Sequence, residues 1–234
     1  MKKPLSLAIL TTVGIGLLAG SANAHEAGSV LVRAGATTVR PNIDSQSLAL
    51  NGSVLSLSGG SSALDVKNET QLGLTVQYSL TSNIAIEVLA ATPFTHLATG
   101  TGEVAGLPVA EVKQLPPTVS ALYYFHNPSA AFQPYVGAGL NYTVFFEEDV
   151  TPQAATTFAS LGLSGGDVDL DESFGLALQA GFDYELKNNW IVNASVRWID
   201  LDTNATINFA GNNRLSADVE LDPWVYTVAI GYKF

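Results

Sequence analysis

Few side chains in this sequence are equipped for covalent chemistry. It contains no cysteine, and its three histidines, His25, His96 and His126, have no spacing that resembles a zinc site. His96 stands near Thr92 and Thr95, the one place where an imidazole and hydroxyls neighbour each other, as a lipid-modifying enzyme on a small scaffold would need. No phosphate loop, nucleophile elbow or nucleotide fingerprint is present. Glu147, Glu148, Asp149, Asp167, Asp169, Asp171 and Glu172 supply enough oxygen to attract a divalent cation such as calcium, although an acidic run of this kind also serves as a plainly solvated loop. Six further charges lie scattered among apolar segments: Arg33, Glu87, Asp183, Glu185, Arg197 and Lys233. Three are bases and three are acids, so the chemistry they offer is mutual neutralisation, which charges removed from water require. Their meeting depends on the elements that carry them.

Those elements alternate with period two. At the C-terminus Trp224, Tyr226, Val228, Ile230, Tyr232 and Phe234 form one row against Val225, Thr227, Ala229, Gly231 and Lys233. Upstream, Phe174 to Leu186 repeats the pattern, Val192, Ala194, Val196 and Trp198 oppose Asn193, Ser195 and Arg197, and Leu72 to Leu80 opposes Gln71 to Ser79. These are strands, not helices. Weaker versions at Ser29 to Thr37, Ile84 to Thr92, Thr118 to Phe125 and Pro134 to Phe146 bring the count to eight. Short connections at 81–83, 126–133 and 187–189 alternate with long loops near 39–68, 94–114, 147–170 and 203–218, the asymmetry of a barrel with periplasmic turns and external loops.

Composition points the same way. The chain is 47 % hydrophobic yet carries a net charge of −11, and no uninterrupted apolar segment beyond residue 24 has helix-spanning length. Lys2 and Lys3, the apolar run from Leu5 to Ala19 and the triplet Ala22, Asn23, Ala24 read as a secretion signal over residues 1–24, cleaved after Ala24, with a retained anchor as the alternative. Residues 25–234 then form one domain, an all-β eight-stranded antiparallel transmembrane barrel. Its acidic balance repels nucleic acid. A secreted β-sandwich is the competing fold, but its solvent-facing rows would be large and charged, whereas many here are Gly, Ala, Ser and Thr. Trp190, Tyr184, Tyr232 and Phe234 near one rim, with Trp198 and Trp224 near the other, resemble interfacial girdles.

On these residues the chain resembles the OmpW family of small outer-membrane barrels. The resemblance is carried by His25 to Gly28, Val32 to Gly35, Thr70 to Thr75, Glu87 to Phe94, Leu115 to Thr118, Pro134 to Gly139, Asn141 to Thr143 with Phe145 and Phe146, Asp200 to Thr203 and Leu221 to Val225. It implies a narrow, largely hydrophobic channel that takes small hydrophobic molecules from outside and releases them sideways into the outer leaflet. Lateral release needs a break in the wall. Pro93 lacks the N–H that a ladder requires and is assigned to that opening, the alternative being a strand end before a loop.

An eight-stranded lumen holds side chains or one small ligand, so bulk diffusion of sugars is excluded. Phased inward, Arg33, Glu87, Asp183, Glu185, Arg197 and Lys233 form an ionic plug at the periplasmic end, with direct ion binding as the alternative. Leu31, Leu89, Leu122, Tyr124, Tyr135 and Phe145 line an apolar passage above it or simply pack, and Leu89 and Arg197 are the first lumen candidates. Phe234, with apolar partners behind it at alternate positions, resembles the signal read by the outer-membrane assembly machinery. The expectation is a passive outer-membrane transporter, not an enzyme and without cofactor. Its partners are outer-membrane lipid, the assembly machinery with periplasmic chaperones, and small hydrophobic solutes. The alternative function is a receptor or structural barrel whose loops bind phage, toxins or host surfaces.

Overall fold

The computed structural model describes residues 26–56, 59–125 and 130–234. The expected secretion signal, His25 and His126 lie outside the described residues. Where large apolar residues recur at every second position, extended backbone is the conformation that sorts them onto one face. Eight strands follow: β1 Val30–Arg40, β2 Glu69–Ser79, β3 Ile84–Ala91, β4 Thr118–Tyr124, β5 Phe132–Val150, β6 Ser173–Glu185, β7 Trp190–Ile199 and β8 Trp224–Lys233. Each pairs antiparallel with its sequence neighbours. β1 pairs with β8, from Leu31 opposite Lys233 to Arg40 opposite Trp224, and closes the barrel. Closure removes the free sheet edges that hydrocarbon cannot satisfy.

The outward rows remain uncovered. Phe174, Leu176, Leu178, Val228 and Ile230 are between 52 % and 69 % exposed. Apolar surface on this scale is untenable against water and suits lipid. Aromatic rings mark both borders. Trp190, Tyr232 and Phe234 stack edge to face, with centroids 5.3 and 4.9 Å apart, at the end of the short turns, and Trp198 sits opposite Trp224 at the other. Tight curvature explains glycine on the inner face. A Cβ on Gly35 would lie 2.1 Å from the Val228 carbonyl oxygen, and one on Gly139 would lie 2.2 Å from that of Val119.

Of the four stretches expected as long loops, 94–114 and 203–218 are largely strands, while 39–68 and 147–170 carry shorter strands and, in the latter, a helix. Phe94–Gly102 and Pro108–Leu115 continue β3 and β4 outward, β5 runs on to Val150, and Ser62–Val66 joins them. Asp167–Leu170, Asp202–Asn208 and Arg214–Glu220 form a second sheet with short segments between residues 44 and 54. These strands also alternate: Leu215, Ala217 and Val219 are buried, while Arg214, Asp218 and Glu220 are exposed. Their outer residues are polar because they meet water instead of lipid. One helix, α1 Pro152–Ser160, begins where the Thr151 hydroxyl accepts a hydrogen bond from the Ala154 N–H. It buries Ala154 and Phe158, the latter edge-on to Phe209 at 5.2 Å. The main apolar core lies in this extension, between the walls it raises above the lipid-facing belt.

Candidate functional site

Arginine and carboxylate side chains on inward positions of four strands converge near the turn end of the lumen. Arg33 on β1 forks onto Asp183 on β6, with Nε to Oδ1 at 3.0 Å and Nη2 to Oδ2 at 2.5 Å, and its Nη1 donates to Glu87 Oε2 on β3 at 2.9 Å. Gln77, Thr75 and the Tyr124 hydroxyl accept further N–H bonds from the same guanidinium. Arg197 on β7 donates to the other Glu87 oxygen at 2.9 Å and to Gln179. Asn193 adds a bond to Asp183 at 2.9 Å. All four charged groups are at most 3 % exposed. Such a set is tolerable only because every charge has an opposite partner in hydrogen-bonding geometry. Lys233 and Glu185 make a separate pair at 3.2 Å nearer the rim.

Above this cluster the lumen changes character. A cavity, partly continuous with solvent, is lined by Val39, Leu64, Val112, Phe145, Leu201 and Val219 together with other apolar side chains of the extension. His96 and Gln114 face it and are 8 % and 6 % exposed. His96 Nδ1 lies 3.2 Å from the Lys67 carbonyl oxygen and must donate to it, since a carbonyl only accepts. Nε2 of the neutral ring therefore accepts the Gln114 amide N–H at 3.0 Å. Burial holds the ring below the ordinary histidine pKa, and the Lys67 carbonyl and the Glu69 charge offset this only in part.

Beside the cavity the wall is interrupted. Leu89 opposite Thr118 is the last rung of β3 on β4, and Phe94 opposite Gln114 is the first rung beyond. Ala90 to Pro93 on one side face Leu115 to Pro117 on the other without pairing, and Pro93, Pro116 and Pro117 have no N–H to give. The unequal count is a bulge. It reverses the phase of the chain, for Ala85, Glu87 and Leu89 are buried before Pro93, and Phe94, His96 and Gly100 after it. The other flank changes partner there: beyond the bond from the Thr92 N–H to the Leu72 carbonyl, Phe94–Gly102 pairs with Ser62–Val66 instead of β2.

An eight-stranded closed barrel with this outer belt, inner ion cluster and apolar chamber is matched along its length by one family model, that of the OmpW family, over residues 26–234. The chain belongs to the OmpW family. Outer membrane protein W of Vibrio cholerae serotype O1 is 46 % identical over 230 residues, which cover 96 % of this chain and 99 % of that protein. The crystal structure of the outer membrane protein OprG from Pseudomonas aeruginosa superposes with a TM-score of 0.79 at 40 % identity, over 90 % of this chain and 97 % of that one. A more distant relative, the dibenzothiophene metabolism operon protein PahQ of Pseudomonas aeruginosa, is 28 % identical over 176 residues, 75 % of this chain and 76 % of that protein. Membership in the OmpW family makes this a channel-type protein of the bacterial outer membrane, seated in lipid, and not an enzyme.

Within this OmpW-family barrel the residues chosen from sequence separate into three places. Arg33, Glu87, Asp183 and Arg197 come together, and Glu185 pairs with Lys233 below them. Leu122, Tyr124 and Tyr135, expected along the passage, instead pack with Ala85 beside the ion cluster, because their strands enter the lumen from the turn end. Arg197, also expected along the passage, is bound into the cluster. Phe145 lines the chamber, and Leu89 is buried at the lower edge of the ladder break beside Pro93. Phe234 closes the β1–β8 seam through a 2.8 Å bond from its N–H to the Val30 carbonyl. His96 points to Lys67 and Gln114, not to a hydroxyl. Of the acidic residues weighed as calcium ligands, Glu147 pairs with Lys113. Among the described residues the carboxylates close enough to share an ion are Asp200, Asp202 and Asp222, outside that set. The residues missed from sequence are the chamber walls, such as Val112, Leu215 and Val219, and Gln114, the partner of His96. Their signal is alternation against polar partners, as in Leu215, Ala217, Val219.

Proposed function

We propose that the barrel is a passive channel for small hydrophobic molecules, which enter the chamber from outside and leave sideways into the outer membrane at the ladder break beside Pro93. The observation that carries this reading is the apolar chamber, closed beneath by paired charges and bordered by an interrupted wall. An aqueous pore would need polar walls along its length. A chamber lined by Val, Leu and Phe holds apolar solutes by burial, at roughly 25 cal/mol per Å² of their surface. The name of the relative PahQ ties that protein to metabolism of dibenzothiophene, an apolar aromatic compound, which agrees with such cargo. Leu89 then forms the sill of the exit, Phe145 part of the chamber wall, and the ion cluster the plug that denies a straight path to the periplasm.

Uptake of a hydrophobic solute by cells or vesicles carrying the protein tests the reading. Pro93→Ala restores a backbone N–H at the break, and Leu89→Glu places a charge at its edge. Each is expected to cut uptake several-fold while the barrel still folds, as shown by its heat-dependent gel mobility. Undiminished uptake in both variants contradicts lateral release.

A further inference from the structure

The chamber has one built polar point. Of the other polar residues on its lining, Thr203 commits its hydroxyl to the Asp171 carbonyl at 2.8 Å, and Ser216 stands in the outer row with Arg214, Asp218 and Glu220. Gln114 is different. One amide N–H goes to His96 Nε2, and the tautomer of His96, fixed by the Lys67 carbonyl, allows no reversal of that bond. The Gln114 Oε1 accepts no hydrogen bond among the described residues, and the second N–H is equally uncommitted. The side chain is more than nine-tenths buried and faces an apolar space, with one amide N–H committed to His96 and the rest of the amide open to the chamber.

Its place in the wall gives that open amide a use. Gln114 is opposite Phe94 on one side and Phe145 on the other, on the first rung beyond the ladder break. We infer that Gln114, held by His96, is a recognition point for the polar end of a solute, and that the chamber selects neutral amphiphiles with one hydroxyl or carbonyl on an apolar body. This inference rests on the reading of the chamber as the solute pathway. Neutrality follows from the lining, which contains no Lys, Arg, Asp or Glu, so an ionised head group would be buried without a partner. A hydroxyl donates to Oε1 and accepts from the free N–H, and a carbonyl accepts from the N–H alone. The solute is then held by its head at the threshold where the wall is open.

The test uses the processed barrel in lipid nanodiscs, with 1-heptanol, heptane and heptanoate as probes and chamber methyl resonances reporting occupancy. Heptanol and heptane are both expected to bind, and heptanoate only weakly. Gln114→Leu is expected to lower the preference for heptanol over heptane by about fivefold, the size of one ordinary hydrogen bond. A preference unchanged by Gln114→Leu, with both solutes still bound, overturns the recognition point and leaves the chamber reading standing. Failure of both solutes to perturb the chamber overturns that reading and this inference with it. Should Gln114→Leu not fold, the wild-type side-chain amide resonance of Gln114 decides: heptanol must move it more than heptane does at equal occupancy, and equal movement refutes the assignment.

Discussion

Asp183 is wholly buried and accepts hydrogen bonds from Arg33, Tyr124 and Asn193. Its replacement by Asn keeps the shape and removes the charge, which leaves Arg33 short of one anion in a low-dielectric lumen. Breaking a buried pair in this manner costs about 3–5 kcal/mol. The Asp183→Asn barrel should unfold at clearly lower urea than the parent. Glu185 is 24 % exposed at the rim, so Glu185→Gln should cost no more than about 1 kcal/mol in the same titration. A Glu185→Gln loss as large as that of Asp183→Asn contradicts the burial argument. His96 titrates in the opposite sense to a paired histidine. Burial lowers the pKa of the folded ring below the ordinary 6.5, so the unfolded chain takes up the proton first. Its effect on stability is neutral above about pH 6.5 and turns unfavourable as pH falls below that value. Ring nitrogen NMR should show Nδ1 protonated and Nε2 bare at pH 7, with a titration midpoint below the ordinary 6.5.

At the scale of strands, curvature sets what the inner face accepts. Gly35 faces the lumen, with the Val228 carbonyl oxygen 2.1 Å from where a Cβ would sit, whereas Ala36 next to it points outward and is exposed. Gly35→Val should therefore abolish the compact, heat-modifiable form on gels, and Ala36→Val should preserve it, because lipid yields to an added methyl and a neighbouring backbone does not. A folded Gly35→Val barrel contradicts this account. The eight strands were legible in sequence because one of their rows meets hydrocarbon. Phe174, Leu176 and Leu178 cannot be read otherwise once Gly175, Ala177 and Gln179 separate them. The extension above the belt escaped the same reading. In Arg214 to Glu220 the alternation is equally regular, but its outer row is Arg, Ser, Asp and Glu, so a search for lipid-compatible rows passes over it as loop. Inward orientation of the six charges was also legible from phase. Height was not: Leu122 and Tyr135 point inward as expected, yet their level along the barrel depends on strand tilt and stagger, which phase alone does not encode.

The whole molecule places its two kinds of interior in series. Paired charges fill the turn end, the apolar chamber occupies the extension, and the interrupted wall lies between them at Pro93. If solutes leave through the wall, apolar flux and ionic conductance travel different routes and respond to different substitutions. Arg33→Ala, Glu87→Ala, Asp183→Ala and Arg197→Ala combined remove both signs of charge together, so the cluster leaves no buried ion unpaired, and they empty the part of the lumen that the cluster fills. This barrel should conduct small ions several-fold better in planar bilayers than the parent, while uptake of an apolar solute stays within about twofold, since the chamber and the exit are untouched. Pro93→Ala should do the reverse, cutting uptake at unchanged conductance. The two measurements must therefore separate in both directions. Should emptying the ion cluster raise apolar uptake in proportion to conductance, solutes pass straight through the barrel, and the break beside Pro93 is a bend in a strand with no part in transport.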